Sequence, residues 1–187
     1  MPEKATVEIA KAAPRDHDGI LYLQSRCLLV NLSSDDRKEG FLSAEFPLAQ
    51  IAAMASDLGV VVARDGGRVV GYMCASRMDF MDRPPILDAM LQCLEGKALE
   101  GKVLSEAPTF VYGPVCIDRA WRGRGLLRRM FSALKGVLGG RFEFGVAFVA
   151  ADNPRSLRAH VNGLGMADVG RFEHGGCEYH ALAFVVR

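Results

Sequence analysis

A cationic segment that contains two glycines is the part of the sequence best suited to chemistry. Five arginines lie within eleven positions, and no carboxylate follows Asp118 until Glu143; they are Arg119, Arg122, Arg124, Arg128 and Arg129. Gly123 and Gly125 let a ligand approach the backbone closely, just before an amphipathic helix whose first N–H groups lack partners and carry partial positive charge. The segment predicts a site for an anion such as phosphate. A solvated arginine face on an ordinary helix is the alternative.

Other phosphate motifs can be tested by their spacing. The sequence has no Gly-x-x-x-x-Gly-Lys-Ser/Thr, which disfavours a P-loop. Gly123-x-Gly125 lacks the third glycine, and it also lacks the acidic residue ~20 positions further on that a dinucleotide-binding fold uses. What remains is a nucleotide held by a loop and the end of a helix.

Two segments carry a family resemblance. The run 122–127 resembles the pyrophosphate loop of the GNAT superfamily of acyl-CoA-dependent N-acetyltransferases, Arg/Gln-x-x-Gly-x-Gly/Ala, with Leu127 in place of the last small residue. Asn153, Ser156, His160 and the run 164–166 are similar to the next motif of that superfamily. The two motifs lie ~30 residues apart, as a strand-helix-strand unit requires.

The resemblance implies an enzyme that transfers acetyl from acetyl-CoA to an amine of a small molecule or peptide by direct attack in a ternary complex. A non-catalytic module of the same fold, which binds acyl-CoA as a sensor or binds a partner, is the alternative. The cosubstrate is acetyl-CoA, and no metal is expected. The implied cofactor-binding residues are Val115, Cys116, Ile117, Arg122, Gly123, Arg124, Gly125, Leu126, Leu127, Arg128 and Asn153.

His160 is the candidate catalytic residue, as a general acid that protonates the departing thiolate. A histidine packed near the cofactor for structural reasons is the alternative. The general base is open, because Val111 and Phe148 occupy the positions where many relatives carry glutamate. Candidate substitutes are Tyr112, Asp118, Glu45 and Tyr179.

The composition limits the other function classes. The 187 residues are 50% hydrophobic and 24% charged, which predicts one folded domain over residues 1–187. Because 23 Lys and Arg nearly balance 22 Asp and Glu, neither a nucleic-acid partner nor an anionic membrane is expected. Five scattered cysteines without a Cys-x-x-Cys pair predict reduced thiols in a cytoplasmic protein. The choice between a monomer and a homodimer is open.

These residues must be positioned by an α/β fold, and the resemblance implies the GNAT fold with a single mixed, mostly antiparallel central sheet flanked by helices. The hydrophobic patterning predicts the order β-α-α-β-β-(α)-β-α-β-α-β-β. Strands are expected at 6–12, 58–63, 68–76, 109–118, 145–150, 167–172 and 178–186, and helices after Pro14 and at 43–55, 86–94, 126–138 and 154–162. An insertion at about 79–107 carries too many apolar residues for a solvated tether and is expected to cover the acceptor side.

Overall fold

A computed structural model describes residues 7–80 and 83–187. Its strands are β1 Glu8–Lys11, β2 Val60–Asp65, β3 Arg68–Arg77, β4 Ala98–Leu99, β5 Lys102–Val103, β6 Thr109–Ile117, β7 Phe144–Ala150, β8 Ala167–His174 and β9 Cys177–Val185. Seven of them form one sheet in the order β1-β2-β3-β6-β7-β9-β8, and β4 and β5 form a separate ribbon. The predicted mixed, mostly antiparallel α/β sheet is confirmed. Thr6, where the first strand is predicted to begin, lies outside the described residues.

Two tight turns set the register of the outer hairpins. Gly66 and Gly67, both with positive φ, connect β2 to β3, and Gly175 and Gly176 connect β8 to β9 in the same way. A two-residue turn with positive φ matches the twist of the strands that it joins, and glycine adopts this conformation without steric cost. Each pair of adjacent glycines is a local feature of the sequence.

The sheet opens between β6 and β7. These two neighbours are parallel and pair only from Thr109 to Val111, against Phe144 to Val146. Gly113 has a φ of 113° and Pro114 has no N–H to donate, so the strand leaves its partner at this point. The gap lets side chains and backbone groups of both strands face a ligand.

Helices cover both faces of the sheet. They are α1 His17–Cys27, α2 Ser34–Arg37, α3 Leu48–Ser56, α4 Pro85–Cys93, α5 Leu126–Leu138 and α6 Pro154–Arg158. One face packs α1 and α3 through Ile20 and Ile51, and it also packs α4 through Leu87 and Met90. The other face packs α5, whose apolar side includes Met130, Leu134 and Leu138. No described helix is long and apolar enough to cross a membrane.

Helix boundaries follow local chemistry. The bounds of α5 are those predicted, 126–138. The helix predicted from Ser43 begins only at Leu48, because Pro47 is its extended N-cap residue. The helix predicted at 154–162 ends at Arg158 and continues as a π-helical turn, Ala159–Gly163. Residues 34–37, where the sequence predicts neither a helix nor a strand, form the short α2, because the Ser33 hydroxyl accepts the N–H of Asp36.

Candidate functional site

A cavity of about 440 Å³, here called the first cavity, lies beside the end of β6 and the start of α5. Its volume is in the usual range for small-molecule sites. Ten of the twelve predicted site residues line it: Val115, Cys116, Ile117, Arg122, Gly123, Gly125, Leu126, Leu127, Arg128 and His160. Other parts of the chain also line it, among them Cys27, Glu39, Trp121 and Arg155.

The glycine loop presents backbone donors to this cavity. Gly123 and Gly125 have φ values of 73° and 74°, and a Cβ atom at either position would meet open space. Gly125 is the N-cap of α5 and supplies no side-chain acceptor. The first N–H groups of α5, beginning at Leu126, therefore lack a helical partner and point to the loop side, where they can hold an anion.

Arg122 ties the glycine loop to two other segments. Its Nε donates to the Ile117 carbonyl at 2.8 Å, and its Nη1 donates to the Glu39 carbonyl. Within the described ranges it makes no ion pair, since the Glu39 carboxylate pairs with Arg155. Burial lowers the pKa of Arg122 from its usual value, and the guanidinium charge stays uncompensated by a direct carboxylate partner. Arg122 both orders the loop and makes the first cavity electropositive.

The two other arginines that were predicted to bind the cofactor differ in position. Arg128 lines the first cavity and donates to the Gly163 carbonyl at 2.9 Å. Arg124, predicted to bind cofactor, instead places its guanidinium 5.2 Å from the centre of the Trp121 ring and does not line the cavity. An exposed guanidinium gains from stacking on an indole face, and this contact positions the Arg124 side chain.

His160 lines the first cavity, and its hydrogen bonds fix its tautomer. Its Nδ1 lies 2.8 Å from the carbonyl oxygen of Ser156, which can only accept, so Nδ1 carries the proton. Its Nε2 lies 3.2 Å from the Tyr112 hydroxyl and accepts that O–H. Both side chains are 5% exposed. Burial lowers the pKa of His160 and raises that of Tyr112, so the imidazole is neutral and the phenol protonated.

A second cavity of about 80 Å³ opens in the gap between β6 and β7. Tyr112, Gly113, Pro114 and Phe148 line it, together with Phe41 and Phe46 of the segment before α3. Four residues line both cavities: Phe41, Val115, Ser156 and His160. The two spaces therefore adjoin at His160.

Asn153 was predicted to bind cofactor, but it lines only the second cavity. Its Nδ2 donates to the Phe41 carbonyl at 3.0 Å, and its Oδ1 accepts the N–H of Ser156 at the start of α6. An asparagine just before a helix satisfies a free N–H of the first turn in this way. Asn153 therefore fixes α6, and with it His160, against the segment that begins at Phe41.

The four candidate bases differ in their position relative to the two cavities. Tyr112 alone among them lines either of the two cavities. Asp118 accepts from Arg68 and caps the N–H of Ala120. Tyr179 stacks on Phe172 with ring centres 5.4 Å apart. Glu45 is exposed.

The cysteine prediction is wrong for one pair. The structure joins Cys27, at the end of α1, to Cys116 of β6 as a disulfide beside the first cavity, with Cα atoms 6.9 Å apart. The two residues are 89 positions apart in sequence, and packing of α1 over the end of β6 brings them together. Cys74, Cys93 and Cys177 are free. Among the residues that the structure describes, no group of three His, Cys, Asp or Glu could hold a metal ion.

Sequence reasoning missed three contacts of the site. They are the Tyr112–His160 pair, the Arg122–Glu39 bond and the Cys27–Cys116 disulfide. Each joins residues at least 48 positions apart. Only Tyr112 had a signal, since it is one of the candidate bases predicted from the sequence.

Part of the chain matches a known protein family. Residues 27–166 match the sequence profile of the Acetyltransferase (GNAT) family. No protein of curated function matches the chain in sequence.

Solved structures share the fold at low identity. The protein yncA from Salmonella typhimurium, solved with its cofactor acetyl-CoA, is 19% identical, with a TM-score of 0.62 over 97% of this chain and 94% of that one. A GNAT-family acetyltransferase from Streptococcus agalactiae 2603 is 18% identical, with a TM-score of 0.64 over 96% and 95%. An N-acetyltransferase from Staphylococcus aureus Mu50 is 16% identical, with a TM-score of 0.57 over 97% and 99%.

Proposed function

The chain belongs to the GNAT acetyltransferase family, and from that premise we propose that it transfers an acetyl group from acetyl-CoA to the amine of a small molecule. The observation that carries the proposal is the meeting of the two cavities at His160. One cavity is cationic and has backbone donors at a helix N-terminus, and the other lies in the gap of the sheet. This arrangement supplies separate places for an anionic acyl carrier and an acceptor.

Acetyl-CoA fits the chemistry of the first cavity. Its pyrophosphate would be held by the N–H groups at Gly125 to Arg128 and by the charge of Arg122, and its pantetheine arm by backbone groups of Val115 to Ile117 in the open strand. When bound, acetyl-CoA supplies a thioester whose carbonyl carbon is open to an amine nucleophile. Arg124 and Asn153 are not part of this proposal, because neither lines the cavity.

Arg122→Gln is expected to weaken acetyl-CoA binding by about one to two decades. Loss of a charge-assisted contact costs roughly 1.5–3 kcal/mol, and the loop also loses its bond to Glu39. Arg124→Gln, two positions away, should bind almost as the parent does because its side chain does not line the cavity. Isothermal titration calorimetry with acetyl-CoA distinguishes the two variants. Equal losses in both would indicate general charge attraction and would contradict a specific role for Arg122.

Tyr112 and His160 can move the proton that the amine must lose. The neutral Nε2 of His160 accepts the Tyr112 O–H, and both residues line the second cavity. As the amine nitrogen bonds to the acetyl carbon, its proton can pass to the Tyr112 oxygen while the Tyr112 proton passes to Nε2. When the C–S bond of the thioester breaks and expels the CoA thiolate, the cationic His160 can supply the proton that the thiolate takes up. For His160 the proposed order is base first and acid second, whereas the sequence predicts only the acid role for this residue.

The pH profile tests the protonation state of His160. Because burial holds its pKa below the usual 6.5, kcat at saturating amine should be level above about pH 6.5 and fall only in more acidic solution. Folding stability should also decrease in acidic solution. The unfolded imidazole binds a proton more readily than the buried one, so stability is complete above pH 6.5 and decreases as the pH falls below it.

The measurements are kcat and the melting temperature between pH 5 and 8, with His160→Gln as the control. We expect the variant to lose the acidic limb of kcat and part of the acidic loss of stability. An acidic limb that persists unchanged in the variant would assign the titration to another group.

Release of free thiol from acetyl-CoA tests the proposed function itself. We expect thiol release to depend on both the amine and the intact Tyr112–His160 pair. A protein that binds acetyl-CoA tightly but releases no thiol with any amine would be a sensor, and the proposal would be wrong.

A further inference from the structure

We propose that the acceptor is a primary amine whose remaining group is short, apolar and uncharged. This inference rests on the proposed function, since it names the class of acceptor for the same site. It follows from three properties of the second cavity: the chemistry of its walls, the state of its polar groups and its size.

The walls of the second cavity are apolar. None of the described residues that line it carries a carboxylate, ammonium or guanidinium group. The main contributors are Phe41, Phe46, Leu87, Val111, Pro114 and Phe148. A second charge on the acceptor would lose its hydration here without gaining a partner, which is unfavourable unless the charge is paired.

The polar groups at the edge of the cavity are already engaged. Both ends of the Asn153 amide are bonded to other parts of the protein, to Phe41 and Ser156. His160 is neutral and bonded through both nitrogens. The Tyr112 hydroxyl donates to His160, which leaves its oxygen lone pairs to receive an N–H of the acceptor. The described residues that line the cavity therefore offer a second ionic group no partner of opposite charge.

The volume of about 80 Å³ limits the size of the acceptor. One water-sized group takes ~30 Å³, and an apolar cavity that binds benzene measures ~150 Å³. The second cavity is about half that size, so a short chain fits it better than a bulky ring system. Leu87 comes from α4, so the segment that connects β3 to β6 forms part of the wall.

Three amines of equal chain length test the charge selection. n-Butylamine, 4-aminobutanoate and 1,4-diaminobutane each present the same primary amine and differ only at the far end. We expect n-butylamine to have a kcat/KM at least about 100-fold above the other two, because only its far end is apolar. Binding of each amine to the CoA-loaded protein, followed by ligand-observed NMR, gives a second readout that does not require turnover.

A charge placed in the wall should reverse the preference. Phe148 is half-buried on β7 and lines the second cavity, and Phe148→Glu should favour 1,4-diaminobutane over n-butylamine. Phe148→Leu is the matched control, since it shortens the side chain without a charge and should keep the order of the parent.

The outcomes separate this inference from the proposed function. Selective binding of n-butylamine without turnover would support the acceptor class and count against the enzymatic proposal alone. Charged amines that bind or react as well as n-butylamine would overturn the inference, while acetylation itself would stand. No detectable binding of n-butylamine, or an unchanged order in Phe148→Glu, would also overturn it.

Discussion

Gly125→Asp is expected to abolish measurable acetyl-CoA binding. Gly125 caps α5 with a φ of 74°, and a side chain there would extend into open space at the mouth of the first cavity. Aspartate would place a carboxylate where the proposed pyrophosphate meets the first N–H groups of the helix, and its oxygens could bond to those donors directly. Loss of charge-assisted contacts alone corresponds to one to two decades of affinity, about 1.5–3 kcal/mol. Repulsion between anions should add to that loss.

Gly125→Asn is the matched control for this substitution. Asparagine has nearly the same shape as aspartate and tolerates positive φ, but it carries no charge. We expect it to keep a weakened but measurable affinity in calorimetry, with both variants melting at similar temperatures. If the two variants bound acetyl-CoA equally well, the glycine loop would not be the anion site.

Tyr112→Phe is expected to lower kcat by about 10²–10⁴, the usual contribution of a group that transfers a proton in the transition state. The ring packs edge-to-face against Phe131 and Phe184, and phenylalanine preserves those contacts. The affinity for acetyl-CoA should therefore stay near that of the parent. Loss of the hydroxyl leaves Nε2 of His160 without its O–H donor, so stability should fall by roughly 1–3 kcal/mol.

Tyr72→Phe provides the control with the same chemical change. Tyr72 is fully buried on β3, and its hydroxyl lies 3.5 Å from Gln24 Oε1 on the opposite face of the sheet from α5. Its loss should not change kcat. Similar kcat values for the parent and Tyr112→Phe at saturating acetyl-CoA would exclude the relay.

The double variant shows whether Tyr112 and His160 act together. If the proton passes through both, Tyr112→Phe combined with His160→Gln should be about as slow as either single variant, because residues that act as a unit have non-additive effects. Rate losses that multiply would indicate two independent roles. A normal rate in His160→Gln would leave His160 as a packing residue.

The sequence contained the local features of this fold. The helix 126–138 is predicted to the residue because its apolar positions repeat at helical spacing and two glycines precede it. The glycine turns of both outer hairpins and the break at Gly113–Pro114 are also local signals. Each depends on residues within a few positions of one another, so composition and spacing were sufficient.

The contacts that organise the site depend on the order of the strands. Tyr112 meets His160 because β6 leaves β7 at the gap and the turn after α6 packs over it. Arg122 reaches Glu39 across 83 positions. Spacing along the chain cannot specify such pairs. The direction in which an arginine side chain points is equally non-local, which is why Arg124 is on Trp121 and not in the first cavity.

A crystal structure with acetyl-CoA is the most direct test of the account. We predict that the pyrophosphate lies against the N–H groups from Gly125 to Arg128, and that the acetyl group enters the gap between β6 and β7 beside the Tyr112 hydroxyl, facing the second cavity. Pyrophosphate bound away from the glycine loop would contradict the cofactor site. An acetyl group that points away from Tyr112 and the second cavity would contradict the proposed path of the acceptor amine.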